Sequence, residues 1–171
     1  MDVKKRPNIV DPYVSLRSFQ RALRCGSIRP ISAKLYPELL EYADNEPFGG
    51  APRMTFALVE RGTVKAIVIF GEPIRPAEHV LHIQVGYAVA KAYRNQGLAR
   101  SMLSKCIEEF RNRARGDVDV LHVKAIVSHT NVASQKVAAH VLSSRPRMMT
   151  DERSGEPALE YIGFFETSGS V

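Results

Sequence analysis

A strand, a glycine-containing turn and an amphipathic helix follow one another from Val85 to about Arg113, and this order restricts the fold more than any other stretch of the chain. The turn has the pattern Arg94-x-x-Gly97-x-Ala99. A turn that opens a helix leaves backbone N–H groups unpaired, and the helix dipole favours negative charge at that end. The stretch therefore predicts a phosphate-binding turn in an α/β protein.

The helix after the turn has one apolar face, and strand-like runs lie on both sides of it. Its apolar residues recur at the three- and four-residue spacing of a helix that docks on a sheet: Leu98, Met102, Leu103, Cys106, Ile107 and Phe110. His79–Val89 precedes the turn, and Val118–Val127 follows the helix. A strand, helix and strand in this order predict a parallel strand pair with a right-handed crossover.

The remaining segments predict further hairpins and helices around this unit. We expect a hairpin from 54–59 and 64–70, a surface loop over 71–78, a helix over Asn131–Leu142 and a closing hairpin from 147–150 and 158–165. The pattern over 12–31 fits either a strand followed by a helix or a single helix.

A short helix is expected to follow that ambiguous region. It would begin between Ser32 and Pro37, turn Leu39 and Leu40 inward, and end at Asn45 and Pro47.

Composition sets the broad class of the protein. A chain of 171 residues, 44% of them hydrophobic, predicts one domain over 1–171, with 1–11 and 166–171 loosely ordered. The formal charge of +6 indicates an anionic partner without identifying it. Cys25 and Cys106 lack metal-ligand spacing, so we expect reduced core thiols. No apolar run has the length of a signal peptide core or a membrane span, which predicts a cytoplasmic protein without a membrane partner.

A second motif gives the turn a more specific meaning. Asn131-x-x-Ser134 opens the helix after the second strand of the predicted parallel pair. Together with Arg94-x-x-Gly97-x-Ala99, in this order, it resembles the acetyl-CoA-binding signatures of the GNAT N-acetyltransferase superfamily. The resemblance covers about 54–165. It implies an α/β (α+β) fold, a single GNAT-like domain with a mixed central sheet of about six to seven strands, flanking helices and a central parallel strand pair.

The resemblance also implies a binding site for acetyl-CoA, the acyl-donor cosubstrate, and no metal. It assigns the pyrophosphate to backbone N–H groups from Asn95 to Arg100 and the pantetheine arm to the backbone of Tyr87, Ala88 and Val89. The expected cofactor-binding residues are Tyr87, Ala88, Val89, Arg94, Asn95, Gln96, Gly97, Leu98, Ala99, Arg100, Asn131 and Ser134. Asn131 and Ser134 can equally serve as helix-capping residues.

Two groups that members of this superfamily often use for catalysis are absent from the matching positions. Ala138 stands where relatives carry a tyrosine that protonates the thiolate, and Ile83 stands where many place a glutamate base. The catalytic candidates left are His82, Gln84 and Tyr87. Strand alternation places His82 and Gln84 on one face and Tyr87 on the other unless a bulge intervenes, so one set at most faces the cleft.

The resemblance implies an enzyme, an N-acetyltransferase that moves an acetyl group from acetyl-CoA to a primary amine by direct attack. The absent acid and base favour the amine of a small molecule or a protein N-terminus, since an α-amino group, with a pKa of about 8, is more often neutral than a lysine. One alternative is a toxin-like enzyme acting on aminoacyl-tRNA, with which the positive net charge is compatible. Another is a non-catalytic acyl-CoA-binding module. We expect a monomer or a homodimer.

Overall fold

The computed structural model describes residues 11–44 and 52–168, which fold into a mixed sheet with helices on both faces. The helices are α1 Pro12–Arg24, α2 Leu98–Ala114 and α3 Val132–Val141, with a 3-10 turn at Lys91–Tyr93. The strands are β1 Ile31–Ser32, β2 Leu39–Asp44, β3 Arg53–Glu60, β4 Thr63–Phe70, β5 Ile74–Ala77, β6 Val80–Val89, β7 Val120–Ser128, β8 Arg147–Thr150 and β9 Pro157–Glu166.

The sheet has the order β1-β2-β3-β4-β6-β7-β9-β8, and β5 pairs with the first half of β6. The strand β6 pairs in parallel with β7, as predicted, while the other pairs are antiparallel. The described residues therefore form nine strands, more than the six to seven expected, because short edge strands are added at 31–32 and 74–77.

Two apolar clusters sandwich the sheet. One lies between the sheet and the helices α2 and α3 and contains Ile83, Val85 and Leu103. The other lies under α1 and contains Leu16 and Phe19. The predicted apolar face of α2 is confirmed, since its inward residues belong to the first cluster.

The structure settles whether 12–31 begins with a strand or a helix, and it corrects the expected helix around Leu39. The segment after Asp11 is a single helix, and Asp11 caps it by accepting a hydrogen bond from the backbone N–H of Tyr13 at 2.8 Å. The expected short helix around Leu39 is wrong, because Leu39 and Glu41 are buried on one face and pair with β3 as a strand. Asn45 and Pro47, its expected end, lie outside the described residues.

The structure also bears on the expected hairpin at 54–70, the loop at 71–78 and the two cysteines. The β3–β4 hairpin is confirmed, and its turn residues Arg61 and Gly62 have φ of 50° and 76°. The expected loop over 71–78 instead contains the strand β5, whose residues are exposed. Cys106 is buried as expected, whereas Cys25 is exposed at the end of α1, where its thiol donates a hydrogen bond to the carbonyl of Arg21.

The chain ends are described only in part. Residues 1–10 and 169–171 lie outside the described ranges. The expectation of loose structure over 1–11 therefore falls almost entirely on residues that the structure does not describe. At the other end, Thr167 is buried, and its backbone N–H donates to the carbonyl of Asp119 at 2.9 Å. This hydrogen bond connects the end of β9 to the residue before β7, and the loose structure expected over 166–171 stays a prediction.

The strand assignment around Leu39 can be tested by substitution. Leu39 is 1% exposed and Leu35 is 45% exposed. We expect Leu39→Ala to lower the free energy of unfolding by about 2–5 kcal/mol through a cavity, and Leu35→Ala to change it by less than about 0.5 kcal/mol. Urea denaturation of both variants measures the difference, and equal losses would contradict the burial of Leu39.

Candidate active-site cleft

The site begins where the parallel strands β6 and β7 stop pairing. Their register runs from Val80–Val120 to Gln84–Lys124 and then ends, although β6 continues to Val89 and β7 continues to Ser128. The strands diverge beyond this rung and leave a cleft of about 1000 Å³ between them. One wall of the cleft is the end of β6, and the other is the end of β7 with the start of α3.

The edge of β6 along the cleft carries backbone groups that β4 does not use. The amide of Ala90 donates to Lys65, and the carbonyl of Gln84 accepts from Gly71, so even-numbered residues of β6 turn their backbone groups toward β4. Alternation in an antiparallel pair then turns the N–H and C=O of Val85, Tyr87 and Val89 toward the cleft. The register with β4 is continuous from Val85 to Val89, without a bulge.

This geometry divides the strand residues expected to bind a pantetheine arm. Tyr87 and Val89 present their backbone groups to the cleft, whereas those of Ala88 face β4. The carbonyl of Val89 accepts a hydrogen bond from Nε of Arg94 at 3.1 Å. Val85, which sequence analysis did not include, has its backbone groups on the cleft edge, and only the point where β6 and β7 separate could have revealed it.

At the far end of the cleft, the turn before α2 exposes a row of donors. The N–H groups of residues 95–100 donate no hydrogen bond to any part of the chain that the structure describes. Asn95 and Gly97 adopt left-handed conformations, with φ of 60° and 74°. Gly97 is the N-cap of α2, so these N–H groups meet the positive end of the helix dipole. Apart from Gln96, all residues of this row line the cleft.

The backbone conformation explains the glycine at position 97. A Cβ built on Gly97 meets no atom within 4 Å, so no protein group blocks a side chain there. The positive φ is the constraint, since L-residues other than asparagine and aspartate adopt it at a cost.

Arg94, one of the two arginines expected to bind the cofactor, already makes contacts within the protein. Besides its bond to Val89, the guanidinium of Arg94 lies 5.4 Å from the ring centre of Tyr13 on α1. It therefore links the turn to β6 and α1. Arg100 is exposed, lines the cleft and carries no ion pair within the described residues.

The wall formed by α3 carries the second motif. The side chain of Asn131 accepts a hydrogen bond from the backbone N–H of Ser134 at 3.1 Å, which confirms that Asn131 caps α3. Both residues line the cleft. The carbonyl of Ser134 accepts a hydrogen bond from the Tyr87 hydroxyl at 2.7 Å. This bond connects β6 to α3 close to the cleft apex, which is the point where β6 and β7 separate.

The three catalytic candidates occupy different environments. Gln84 and Tyr87 line the cleft, from opposite faces of β6. His82 does not line it; its ring stacks on that of His122, with centres 4.4 Å apart. Burial raises the pKa of the Tyr87 hydroxyl, so this phenol is a weak proton donor and serves better as a positioning group.

Tyr161 and residues from two distant segments lie around the cleft. Tyr161 is buried in the core, and burial raises its pKa. The cleft is also lined by Asp11 and Tyr13 from the start of α1 and by Asp151 and Arg153 from the β8–β9 turn. Sequence analysis missed these four, because their proximity depends on tertiary packing.

Comparison with known proteins decides the family. A model of the Acetyltransferase (GNAT) family matches residues 18–142, which includes β6, the turn, α2, β7 and all of α3. The chain belongs to the GNAT acetyltransferase family. No curated protein matches the sequence significantly.

Solved GNAT structures resemble the fold at low sequence identity. A GNAT-family protein from Desulfovibrio desulfuricans is 14% identical, with a TM-score of 0.50 over 68% of this chain and 70% of that one. The GNAT domain of S. lividans PAT is 21% identical, with a TM-score of 0.46 over 64% of this chain. The ribosomal-protein-S5-alanine acetyltransferase from Vibrio fischeri is 17% identical, with a TM-score of 0.49 over 64% of this chain. The chain spans 60% of the length of each of the last two proteins.

No helix among the described residues is long and apolar enough to cross a membrane.

The stacked histidines beside the cleft generate a pH prediction. Burial and then the neighbouring His82 lower the pKa of His122. The unfolded chain therefore binds a proton at this site more readily than the native one, and stability is complete above a pH of about 6.5 and falls as the pH drops through the lowered pKa. Urea denaturation at pH 7.5 and pH 5 should show a smaller loss in His122→Gln than in the wild type.

His140→Gln, on α3 and outside the stack, is the matched control. It should retain the acid sensitivity of the wild type. An unchanged loss in His122→Gln would show that His122 does not contribute to it.

Proposed function

We propose that this protein is an acetyl-CoA-dependent N-acetyltransferase that acts as a single domain in the cytoplasm, as a monomer or a homodimer. The observation that carries the proposal is the row of N–H groups at 95–100, which have no partner among the described residues and lie at the positive end of α2 and at one end of the cleft. Backbone donors at a helix N-terminus suit a pyrophosphate. Arg100 adds a positive charge at the rim, and the family match supports the same ligand.

The edge of β6 fits the extended arm of the cosubstrate. Val85 and Tyr87 offer backbone groups with the spacing of a strand, and an arm with amide groups can bind there as an added strand does. From Val89 to Val85 the edge spans about 13 Å, at about 3.3 Å per residue. A ligand whose phosphates occupy the turn would place its thioester near Gln84, where the strands meet.

The chemistry proposed at that point is direct acyl transfer. The amine nitrogen attacks the thioester carbonyl carbon, a tetrahedral oxyanion forms, the carbon–sulfur bond breaks and the amine proton passes to the departing thiolate. The N–H groups of Val85 and Tyr87 are the candidates for oxyanion stabilisation, since they face the cleft at its apex. Gln84 can orient the amine or a water molecule, and Tyr87 holds β6 against α3.

The acceptor class follows from the side chains at the apex. At the point where β6 and β7 separate, the described side chains Gln84 and Tyr87 offer no strong base, since the amide is neutral and burial keeps the phenol protonated. The proposed reaction therefore depends on an amine that is already neutral, which favours an α-amino group, on a small molecule or at a protein N-terminus, over a lysine. The alternative of a binding module without turnover would show acetyl-CoA binding and no thiol release with a broad set of amines.

The phosphate position is tested by paired glycine variants. Gly97 and Gly116 both have positive φ and open space around a built Cβ, but only Gly97 lines the cleft. Each Gly→Ala change should cost about 1 kcal/mol of folding free energy. We expect Gly97→Ala to weaken coenzyme A binding by about tenfold or more, through the displaced N–H donors. Isothermal titration calorimetry at a temperature where both variants are folded measures the effect.

Gly116→Ala should bind coenzyme A as the wild type does. Wild-type affinity in Gly97→Ala would place the phosphates elsewhere.

The absence of a strong base predicts how turnover depends on pH. With a peptide whose only amine is its N-terminus, kcat/KM should rise with pH and level off near a pH of about 8. With an Nα-blocked lysine peptide it should still rise above that value, because the lysine pKa is about 10.4. Thiol release from acetyl-CoA reports both profiles. A common plateau near neutrality would instead reveal a base supplied by the protein.

A further inference from the structure

A row of side chains on the open face of the sheet leads to the cleft. Ile74, His82, His122 and Phe164 stand side by side on β5, β6, β7 and β9, because the register pairs each with the next. We call these residues the cross-strand row. The rings of His82 and His122 stack with centres 4.4 Å apart, and Phe164 meets His122 edge-on at the same distance.

The row is open to solvent even though much of it is apolar. Phe164 is 66% exposed and Ile74 is 53% exposed. The helix α1 covers this face only farther along β6, where Ala88 and Ala90 join its cluster. Exposed apolar side chains grouped in one place often mark a binding surface.

The row adjoins the cleft directly. Gln84, the next residue of β6 on the same face, lines the cleft at the last paired rung. On β7, Ile126 lies on the same face as His122 and also lines the cleft. Successive rungs on one face are about 7 Å apart. A group on the row would therefore lie within reach of an amine held beside Gln84.

We propose that the cross-strand row is the acceptor subsite of this enzyme, and that it binds an apolar or aromatic group attached to the amine by a short chain. This inference rests on the proposed function. The row supplies a hydrocarbon side chain, a phenyl ring and two imidazoles, which bury a flat apolar group favourably. The enzyme thus prefers α-amines next to a large apolar side chain, such as that of phenylalanine, over the α-amine of glycine.

The test compares two acceptors in two variants. Phe164→Ala removes the most exposed ring of the row, and Met148→Ala removes an equally accessible apolar side chain, 72% exposed, on β8. Met148 pairs with Leu159, and the side chain of Leu159 packs against the apolar cluster under α2 and α3. Met148 therefore lies on the face of the sheet opposite to the cross-strand row. The acceptors are phenylalaninamide and glycinamide, two α-amines that differ in the side chain, each with acetyl-CoA.

The expected result is a change in KM for one acceptor. In Phe164→Ala, the ratio of KM for phenylalaninamide to KM for glycinamide should rise on the order of tenfold, with kcat for phenylalaninamide changed far less. Met148→Ala should leave this ratio as it is in the wild type. An unchanged ratio in Phe164→Ala would overturn the proposal.

A binding measurement separates this inference from the proposed function. In the coenzyme A complex, phenylalaninamide should shift the imidazole NMR signals of His82 and His122, assigned with His82→Gln and His122→Gln, and glycinamide should not. Acetyl-CoA binding with unmoved imidazole signals would refute the subsite alone, and failure to bind acetyl-CoA would refute the proposed function. A change from dimer to monomer in Phe164→Ala, seen by sedimentation, would show that the row binds a second copy and would also overturn the subsite.

Discussion

The whole arrangement depends on the point at which β6 and β7 stop sharing hydrogen bonds. Up to Gln84 and Lys124 the parallel pair satisfies its backbone groups internally, and beyond that rung the two strands separate. Buried backbone donors and acceptors that lack partners are costly, so an unpaired edge inside a fold calls for a ligand or water. The cleft thus follows from the divergence, and the donors of Val85 and Tyr87 lie along it.

Packing on both faces keeps the strands apart. Ile83 and Val85 are fixed in the cluster under α2, while Ala88 is held in the cluster under α1. The β4 strand secures the opposite edge of β6 along its whole cleft segment. The Tyr87 hydroxyl then connects β6 to α3 through the carbonyl of Ser134. These contacts lie within the protein itself and fix the wall of the cleft, which lowers the entropic cost of binding.

The sequence predicted the parts of this molecule that local pattern determines. The turn at Gly97, the cap at Asn131 and the parallel pair follow from spacing and residue type. The strand at Leu39 was mistaken for a helix, because only its pairing with β3 shows which period its apolar residues obey. The direction of each backbone group along β6, and the row that includes His82, depend on register, which no single segment specifies.

The central claim is that ligand binding satisfies two groups of backbone N–H donors, those of 95–100 and those of Val85 and Tyr87. Amide hydrogen exchange followed by NMR, with and without coenzyme A, tests it directly. We predict slower exchange at both groups on binding, and no comparable change at Ala88, whose N–H already faces β4. Protection confined to other parts of the chain, or equal at Ala88 and its neighbours, would contradict this account of the cleft.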